Sequence, residues 1–343
     1  MFSPLWFFGK GQGEMTSIPR DNVLPGHPRA TFFGRLSKQW QLALMSVPML
    51  LYVLLFNYGP LWFWVNAFKD ISNERGTLIP FLNGQDPAWY GLNNFKNLFG
   101  ANAITFQETL RNTIAMSVIN LVFGTVSAIV LAVLLNEVRQ KAFKRTVQTV
   151  TYLPHFLSMI IVVGMAQIIF DSSDITPGPI NQLLLSTGVV DRAPNWLGEE
   201  QYFWWLVGVI NVWKEVGWGT IIYISAMTGI DPCLYEAAAI DGAGRFQRIL
   251  HVTLPGIKST FMILLIMNIG HLLDTGFEIQ YLLKSPGTMH VAYTVDLYVL
   301  EYGTKSQEIG LATAAGIFKS VIAIILLTGA NFISKRLGED SLL

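Results

Sequence analysis

The sequence predicts an all-α membrane protein, a polytopic bundle of six transmembrane helices with a polar helical loop at one surface. Hydrophobic residues make up 52% of the 343 residues and charged residues only 13%, about half the usual share in soluble proteins. The mean hydropathy is +0.43. Six apolar stretches are each long enough to cross a hydrocarbon core of about 30 Å, which takes about 20 helical residues. These observations predict an integral membrane protein.

The predicted organisation is an N-terminal segment, residues 1–39, a transmembrane domain, residues 40–337, and a short tail, residues 338–343. The N-terminal segment begins with an aromatic stretch and continues with Gly, Pro and basic residues, which suits a cytoplasmic tail or an interfacial segment. Several predicted spans contain Pro or Gly, which a bundle tolerates when neighbouring groups satisfy the freed backbone atoms. The six predicted spans are residues 40–68, 112–135, 147–170, 202–230, 260–283 and 309–333.

Basic residues predict the orientation of the bundle. Because cytoplasmic loops carry an excess of Lys and Arg, the loops after spans two and four, and both termini, are predicted to be cytoplasmic. The basic residues of the two loops and of the C-terminal segment are Arg139, Lys141, Lys144, Arg145, Arg245, Arg248, Lys258, Lys335 and Arg336. The net charge is zero, without a long basic block, so nucleic acid is not a predicted partner. The single cysteine, Cys233, cannot form an internal disulfide.

The loop at 231–256 carries the clearest local signals. Asp231 can cap free backbone N–H groups, and the fixed φ of Pro232 suits the first helical position, so a helix is predicted to begin there. Good helix formers follow until Gly242 interrupts them, and Pro255 ends a second helical piece. The loop is therefore predicted to be a bent helical knob between two spans.

The same loop resembles the "EAA" cytoplasmic loop of ATP-binding-cassette importer permeases. That pattern is Glu-Ala-Ala, a Gly six residues after the Glu, and Ile-x-Leu-Pro at the end. The present chain departs from it only at Val252, which stands in place of Ile. By this resemblance the candidate ATPase-coupling residues are Glu236, Ala237, Ala238, Asp241, Gly242, Arg245, Leu254 and Pro255.

The likeness covers residues 40 to 337. Over these residues the chain resembles the LplB-type branch of maltose-type, or type I, sugar-importer permeases. It implies a type I importer permease fold in the cytoplasmic membrane and the uptake of oligo- or polysaccharides. The implied partners are a second, homologous permease in a heterodimer, two copies of an ABC ATPase, an extracytoplasmic solute-binding protein and membrane lipid. The stretches that carry the likeness are 66–70, 91–99, 134–158, 211–243 and 313–327.

The sequence lacks the motif that an ATPase needs. A P-loop requires Gly-x-x-x-x-Gly-Lys-Ser/Thr, and Gly9-Lys10 is followed by Gly11, which has no hydroxyl for magnesium. We therefore expect a transport subunit that is not itself an enzyme and binds no cofactor, with ATP and Mg²⁺ bound by the partner ATPase. His155 and His251 lie alone, without metal-ligand spacing, so no metal site is predicted.

Polar residues inside the predicted spans indicate a substrate pathway, because a charge at membrane depth costs about 2.5–3.5 kcal/mol and usually faces a cavity or a partner. Lys214 and Glu215 are adjacent on a helix and are not expected to face each other, so pairing with Asp274, Glu278 or a second subunit is predicted. A purely structural interhelical network is an equal alternative. The candidate pathway residues are Asn211, Trp213, Lys214, Glu215, Trp218, Asn268, Asp274 and Glu278.

Three alternatives concern what these residues do. Lys214 could meet a sugar carboxylate, which makes an acidic oligosaccharide, such as an alginate fragment, one candidate substrate. An ion-coupled secondary carrier would also use Asp274 and Glu278, although it would not need the knob at 231–256. A membrane-embedded glycan-processing enzyme could use the same two carboxylates, which are four residues apart on one predicted helical face.

Overall fold

The computed structural model describes residues 40–71, 88–100, 102–306, 308–336 and 338. Within these ranges the chain is almost entirely helical, and its β-structure is an isolated bridge between Lys69 and Trp89. The interfacial segment predicted for residues 1–39 lies outside the described residues. The predicted domain boundaries also fall on undescribed residues, 39 and 337, and stay a prediction.

The chain divides into two units between Leu61 and Trp62. In the described part of the first unit, α1 (Trp40–Val53) contains Pro48 and continues into a π-helical turn, Leu54–Tyr58. A 3-10 helix, Gly59–Phe68, follows.

The second unit contains the remaining helices. Short π-helical and 3-10 turns connect some of them: Leu153–Phe156 before α5 and Ile249–Thr253 before α10. The helices are α2 (Asn93–Phe99), α3 (Ala103–Glu137), α4 (Lys141–Tyr152), α5 (Met159–Ile169), α6 (Pro179–Ser186), α7 (Glu200–Thr228), α8 (Pro232–Ile240), α9 (Arg245–Arg248), α10 (Leu254–Gly256), α11 (Lys258–Gly270), α12 (Glu278–Leu283), α13 (Met289–Ala292), α14 (Val295–Thr304) and α15 (Ile309–Arg336).

The candidate membrane spans differ in regularity. Among the described residues, three helices are each long and apolar enough to cross a membrane: Leu44–Phe68, Thr105–Glu137 and Ile309–Arg336. Two further candidates are bent pairs of helices, which correspond to the third and fifth predicted spans. The fourth predicted span is α7, which has 29 residues and is more polar than the three because it carries Lys214 and Glu215.

The third predicted span is interrupted. The helical segments Lys141–Phe156 and Met159–Ile169 meet at an angle of 105°. Pro154 has no N–H to continue the α-helical pattern, and the backbone is extended at Leu157 and Ser158 before α5 begins. The half-helices thus leave a break of irregular backbone inside a predicted span.

The fifth predicted span is also interrupted. α11 ends at Gly270 after 13 residues, and the chain stays non-helical until α12 begins at Glu278. Within that gap Gly276 has a φ of +69°, a conformation that glycine adopts at little cost. At its other end α11 meets the segment Arg245–Gly256 at an angle of 58°.

The pair α3 and α7 forms the centre of the second unit. Two glycines of α7 permit the close approach: a Cβ at Gly208 would lie 2.6 Å from Ile119 Cγ2, and one at Gly219 would lie 3.1 Å from Ala128 Cβ. Buried clusters lie along this pair. One contains Met116 and Phe203, and another contains Tyr223 with neighbours from α3.

The short helix predicted from the apolar spacing in residues 91–99 is confirmed as α2. Leu98 is buried in a cluster with Phe106 and Tyr298, which joins α2 to α3, α14 and α15. Asn94 donates to the carbonyl oxygens of Ala67 and Lys69, at 2.9 and 3.0 Å. The helix is therefore packed into the second unit.

Candidate functional site

A cleft of about 550 Å³ lies between α3, α7 and the non-helical segment after α11. Five of the eight candidate pathway residues line it: Asn211, Glu215, Trp218, Asn268 and Asp274. The three from α7 recur at intervals of four and three residues, so they lie on one face of that helix. The tertiary structure thus brings polar side chains from two predicted spans to a common cleft.

The remaining three candidates lie elsewhere. Trp213, Lys214 and Glu278 are not among the residues that line this cleft. Glu278 is the first residue of α12, whereas Asp274 lies in the non-helical segment before it. The prediction that these two carboxylates share a helical face is therefore wrong, because the helix has already ended at Gly270.

Lys214 and Glu215 do contact each other, contrary to the sequence prediction. Lys214 Nζ lies 2.8 Å from Glu215 Oε1, and it also donates to the carbonyl oxygen of His155 at 3.0 Å. The long lysine side chain reaches beside its neighbour because both side chains turn toward the break between α4 and α5. There Lys214 satisfies a backbone carbonyl that the broken helix leaves free. Its predicted partners, Asp274 and Glu278, are not its partners in this chain.

His155 lies between two cleft residues. Its Nδ1 is 2.7 Å from Glu215 Oε2, and its ring stacks on Trp218 with centroids 4.7 Å apart and planes 8° from parallel. The sequence predicted only that His155 does not bind a metal ion. The structure places it as the contact between the α4–α5 break and the polar face of α7.

Asp274 belongs to a second charged group. Its Oδ1 lies 2.6 Å from Lys319 Nζ, and its Oδ2 lies 2.9 Å from His271 Nδ1. Lys319 also forms an ion pair with Asp296 of α14. The group therefore ties the segment after α11 to α14 and α15.

Several functional candidates were missed by the sequence analysis. Ser117 and Asn120 also line the cleft. Lys319 had a signal in the sequence, because it is an ionisable residue inside the sixth predicted span and such residues usually have a partner. Ser117 and Asn120 had little signal, since hydroxyl and amide groups within an apolar helix are common.

The coupling loop has the predicted local geometry. Asp231 Oδ1 accepts a hydrogen bond of 2.9 Å from the N–H of Cys233, and α8 begins at Pro232 as predicted. Gly242 has a φ of +79°, and the helix ends just before it, as predicted. Four large apolar side chains of this polar loop are exposed, Leu234, Ile240, Phe246 and Leu250. Apolar surface on such a loop is typical of a contact with another protein.

The candidate coupling residues differ in exposure. Glu236, Ala237, Asp241, Gly242 and Arg245 are exposed. Ala238 and Leu254 are half-buried, and Pro255 is exposed at the last turn of the loop.

The two ends of the loop are held together. A Cβ at Gly256 would lie 2.6 Å from Ile230 Cδ1, which shows how closely the end of the loop packs on its start. Leu254 and Ile230 both pack against a buried cluster that contains Ile257. Tyr235 and Thr253 add a hydroxyl contact of 3.1 Å within the loop. The exposed part of the loop is therefore connected to residues that pack against α3, α7 and α11.

A charged cluster lies between the two last candidate spans. Glu301 of α14 is buried and accepts from Lys284 and Tyr293, while Lys305 Nζ lies 2.6 Å from its Oε1. Burial opposes ionisation of Glu301, but the hydrogen bonds from Lys284, Lys305 and Tyr293 outweigh it and lower the pKa to about 2. Burial, reinforced by Glu301, raises the pKa of Tyr293 above its ordinary value.

Within the described part of the chain, no three His, Cys, Asp or Glu side chains form a group that could hold a metal ion. The enzyme alternative had relied on Asp274 and Glu278 as a pair on one helix, and that arrangement is not present. Asp274 is instead paired with Lys319 and His271.

Residues 120–339 match the family described as "Binding-protein-dependent transport system inner membrane component". The chain belongs to this family. Membership confirms the resemblance and the all-helical permease fold predicted from the sequence. The matched residues contain the coupling loop and all the cleft residues except Ser117.

Two similar proteins come from Bacillus subtilis strain 168. Protein LplB is 38% identical over 331 residues, which cover 96% of this chain and 100% of that protein. The polygalacturonan/rhamnogalacturonan transport system permease protein YteP is 41% identical over 308 residues, covering 90% of this chain and 92% of that protein.

A solved structure has a similar fold. A bacterial ABC transporter involved in the import of the acidic polysaccharide alginate contains a chain that is 34% identical, with a TM-score of 0.78. The match covers 89% of the present chain and 98% of that chain. The same kind of transporter in complex with an alginate pentasaccharide-bound periplasmic protein gives a TM-score of 0.77 at 32% identity, covering 91% and 99% of the two chains.

Proposed function

We propose that this chain is the membrane-spanning permease subunit of an ATP-driven importer that moves an oligosaccharide or polysaccharide across the cytoplasmic membrane. The observation that carries the proposal is the polar cleft beside the middle of α7, where Asn211, Glu215 and Trp218 face Asn268 and Asp274. Of the relatives described above, one is a polygalacturonan/rhamnogalacturonan permease and another belongs to an importer of alginate, and these cargoes are polysaccharides.

The chemistry of the cleft suits a sugar. Carboxylate and amide oxygens accept hydrogen bonds from sugar hydroxyls, and the amide N–H groups donate to them. Trp218 offers an aromatic surface on which the apolar face of a pyranose ring can pack, and the stacked ring of His155 holds it in place. Because several weak contacts replace one tight site, a sugar can move along such a surface.

The energy for transport comes from a separate subunit in this proposal. The loop at 231–256 lies in the cytoplasm with both chain termini and docks on an ABC ATPase, which binds ATP and Mg²⁺. Its exposed apolar side chains Ile240 and Phe246 support a protein contact, and its anchored base can transmit a movement to α7 and α11. Two ATPase copies, a second homologous permease and an extracytoplasmic solute-binding protein complete the complex.

An ion-coupled carrier is a weaker proposal, since it has no use for an exposed knob with this geometry. Affinity purification of the tagged chain from native membranes separates the two functions. An importer permease copurifies with an ABC ATPase, and uptake then depends on ATP. A chain that purifies without any ATPase and takes up solute in response to an ion gradient would contradict the proposal.

The cleft is tested by a pair of tryptophan variants. Trp218→Ala removes an aromatic surface of the cleft and should lower ATP-dependent uptake about tenfold, since burying about 60 Å² of apolar surface contributes about 1.5 kcal/mol. Trp205→Ala is the matched control, because Trp205 lies on the same helix, is exposed, and contacts Phe123 instead of the cleft. Equal uptake by the two variants would contradict the assignment of the cleft.

A further inference from the structure

In both ion pairs at the cleft, the carboxylate is more exposed than its lysine partner. The side chains of Glu215 and Asp274, which line the cleft, are each 49% exposed. Their lysine partners are far less accessible, with Lys214 11% and Lys319 16% exposed. Carboxylate oxygens therefore face the space of the cleft, and the ammonium groups lie behind them.

Both lysines are held in these positions by more than one acceptor. Lys214 Nζ bonds to Glu215 and to the backbone carbonyl of His155. Lys319 Nζ bonds to Asp274 and Asp296. If either ammonium group turned toward a cargo, it would leave oxygens without their donor, which is costly away from water. The lysines are thus structural partners of the carboxylates.

The neighbouring groups do not reverse this polarity. His155 and His271 direct their Nδ1 atoms to Glu215 and Asp274 themselves. On the opposite wall, Ser117 Oγ and Asn120 Oδ1 are buried polar atoms without a hydrogen-bonding partner in the described part of the chain. Ser117 is 95% buried and lines the cleft, so its hydroxyl can bond to a group inside it. The cleft offers hydrogen-bonding oxygens, and no lysine or arginine of the described residues lines it.

We infer that this cleft recognises the hydroxyl groups of uncharged sugar units and discriminates against uronate carboxylates. The inference rests on the proposed function and specifies its substrate class. A hydroxyl can donate to Glu215 or Asp274, whereas a uronate carboxylate meets like charge at both positions. A positive charge for an acidic cargo would have to come from another subunit. The idea that Lys214 receives a sugar carboxylate is not supported by its position.

The test measures direct binding to the purified complex in lipid nanodiscs, without the solute-binding protein. Equilibrium dialysis compares tetragalacturonate with its methyl ester, and a β-1,4-mannuronate tetramer with its methyl ester. The esters keep the backbone and linkage but carry no charge. Each ester should bind about tenfold more tightly than its acid, because like charges a few ångströms apart at a partly exposed site repel by that much. The difference should narrow at high salt.

Two variants locate the source of discrimination. The double change Glu215→Gln and Asp274→Asn should bring the affinities of acid and ester within about threefold, since the opposing charges are gone. Asp296→Asn is the matched control: it removes a carboxylate from the same lysine, but Asp296 does not line the cleft. This variant should keep most of the discrimination.

The outcomes separate the two proposals. If the acidic ligands bind as tightly as their methyl esters, the charge discrimination is overturned. If Trp218→Ala weakens the binding of both, the saccharide pathway still stands. An ester preference that the double variant leaves unchanged would also overturn it. Absence of binding by all four ligands, or binding by any of them that Trp218→Ala leaves unchanged, would overturn the saccharide pathway itself.

Discussion

Gly217 of α7 packs directly on the peptide carbonyl of Thr151 in the last turn of α4. A Cβ at Gly217 would overlap the carbonyl group of Thr151 and lie 2.9 Å from Tyr152 Cδ1. The contact lies beside the break in the third span, and Gly217 directly precedes the cleft residue Trp218. It allows Lys214 and Glu215 to reach His155 across the same interface.

This contact predicts that Gly217→Ala destabilises the protein. Alanine normally favours a helix over glycine by about 1 kcal/mol, but here the added methyl meets backbone that cannot move aside, at a cost of up to about 3 kcal/mol. Thermal unfolding of the purified complex should show a lower Tm. Gly329→Ala on α15 is the control, because no atom lies within 4 Å of the added Cβ. A Gly217→Ala protein that melts at or above wild type would contradict the packing.

Gly242→Val should uncouple the loop from ATP hydrolysis. At a φ of +79° a β-branched side chain is strained by about 1–3 kcal/mol, although no neighbouring atom opposes it. The complex should still assemble, and substrate-stimulated ATP hydrolysis should fall about tenfold or more. Gly244→Ala is the matched control, since Gly244 has a φ of −67° that alanine adopts freely. Full stimulation in the Gly242→Val complex would show that the bend is not part of the coupling element.

Labelling of the native cysteine tests the predicted orientation of the chain in the membrane. Cys233 is exposed on the coupling loop, so an impermeant maleimide should label it in inside-out vesicles and not in right-side-out vesicles. For the opposite face, Ile175→Cys in a Cys233→Ser background should be labelled only from outside, because Ile175 is 91% exposed in the loop after α5. Labelling of Cys233 from outside would reverse the assigned topology.

Glu301 predicts a loss of stability in acid. Its folded pKa of about 2 lies below its ordinary value of 4.5, so its ionised form stabilises the fold above pH 4.5. That contribution, about 3 kcal/mol in full, is lost as the pH falls from 4.5 toward 2. In the Glu301→Gln variant the Tm should be lower at neutral pH, because the half-buried Lys284 loses its anionic partner, and it should depend less on pH in this window.

The control for the acid effect is Lys305→Gln. Lys305 bonds to the same carboxylate from a more exposed position, so its loss should lower the Tm by less than Glu301→Gln. Parallel melting profiles of wild type and Glu301→Gln between pH 4.5 and pH 2 would contradict a role for Glu301 in this window.

Much of the fold follows from local sequence patterns. Apolar length predicted the segments that cross the membrane, because the hydrocarbon core demands about 20 helical residues wherever it is crossed. Asp231-Pro232 and Gly242 predicted the start and the end of α8, since capping and positive φ depend on the residue itself and its nearest neighbours. The same local signals carried the family resemblance.

The tertiary structure decided which polar residues meet. Asn211 and Asn268 were identifiable as polar residues in apolar spans, but only the packing of α7 beside α3 and α11 brings both to one cleft. Lys214 was expected to bind across the bundle, and the break at Pro154 instead exposes a carbonyl that holds it beside Glu215. Periodicity could not foresee this, because it assumes a continuous helix. Which charges face the cleft and which support them thus depends on where helices break and how closely glycines let them pack.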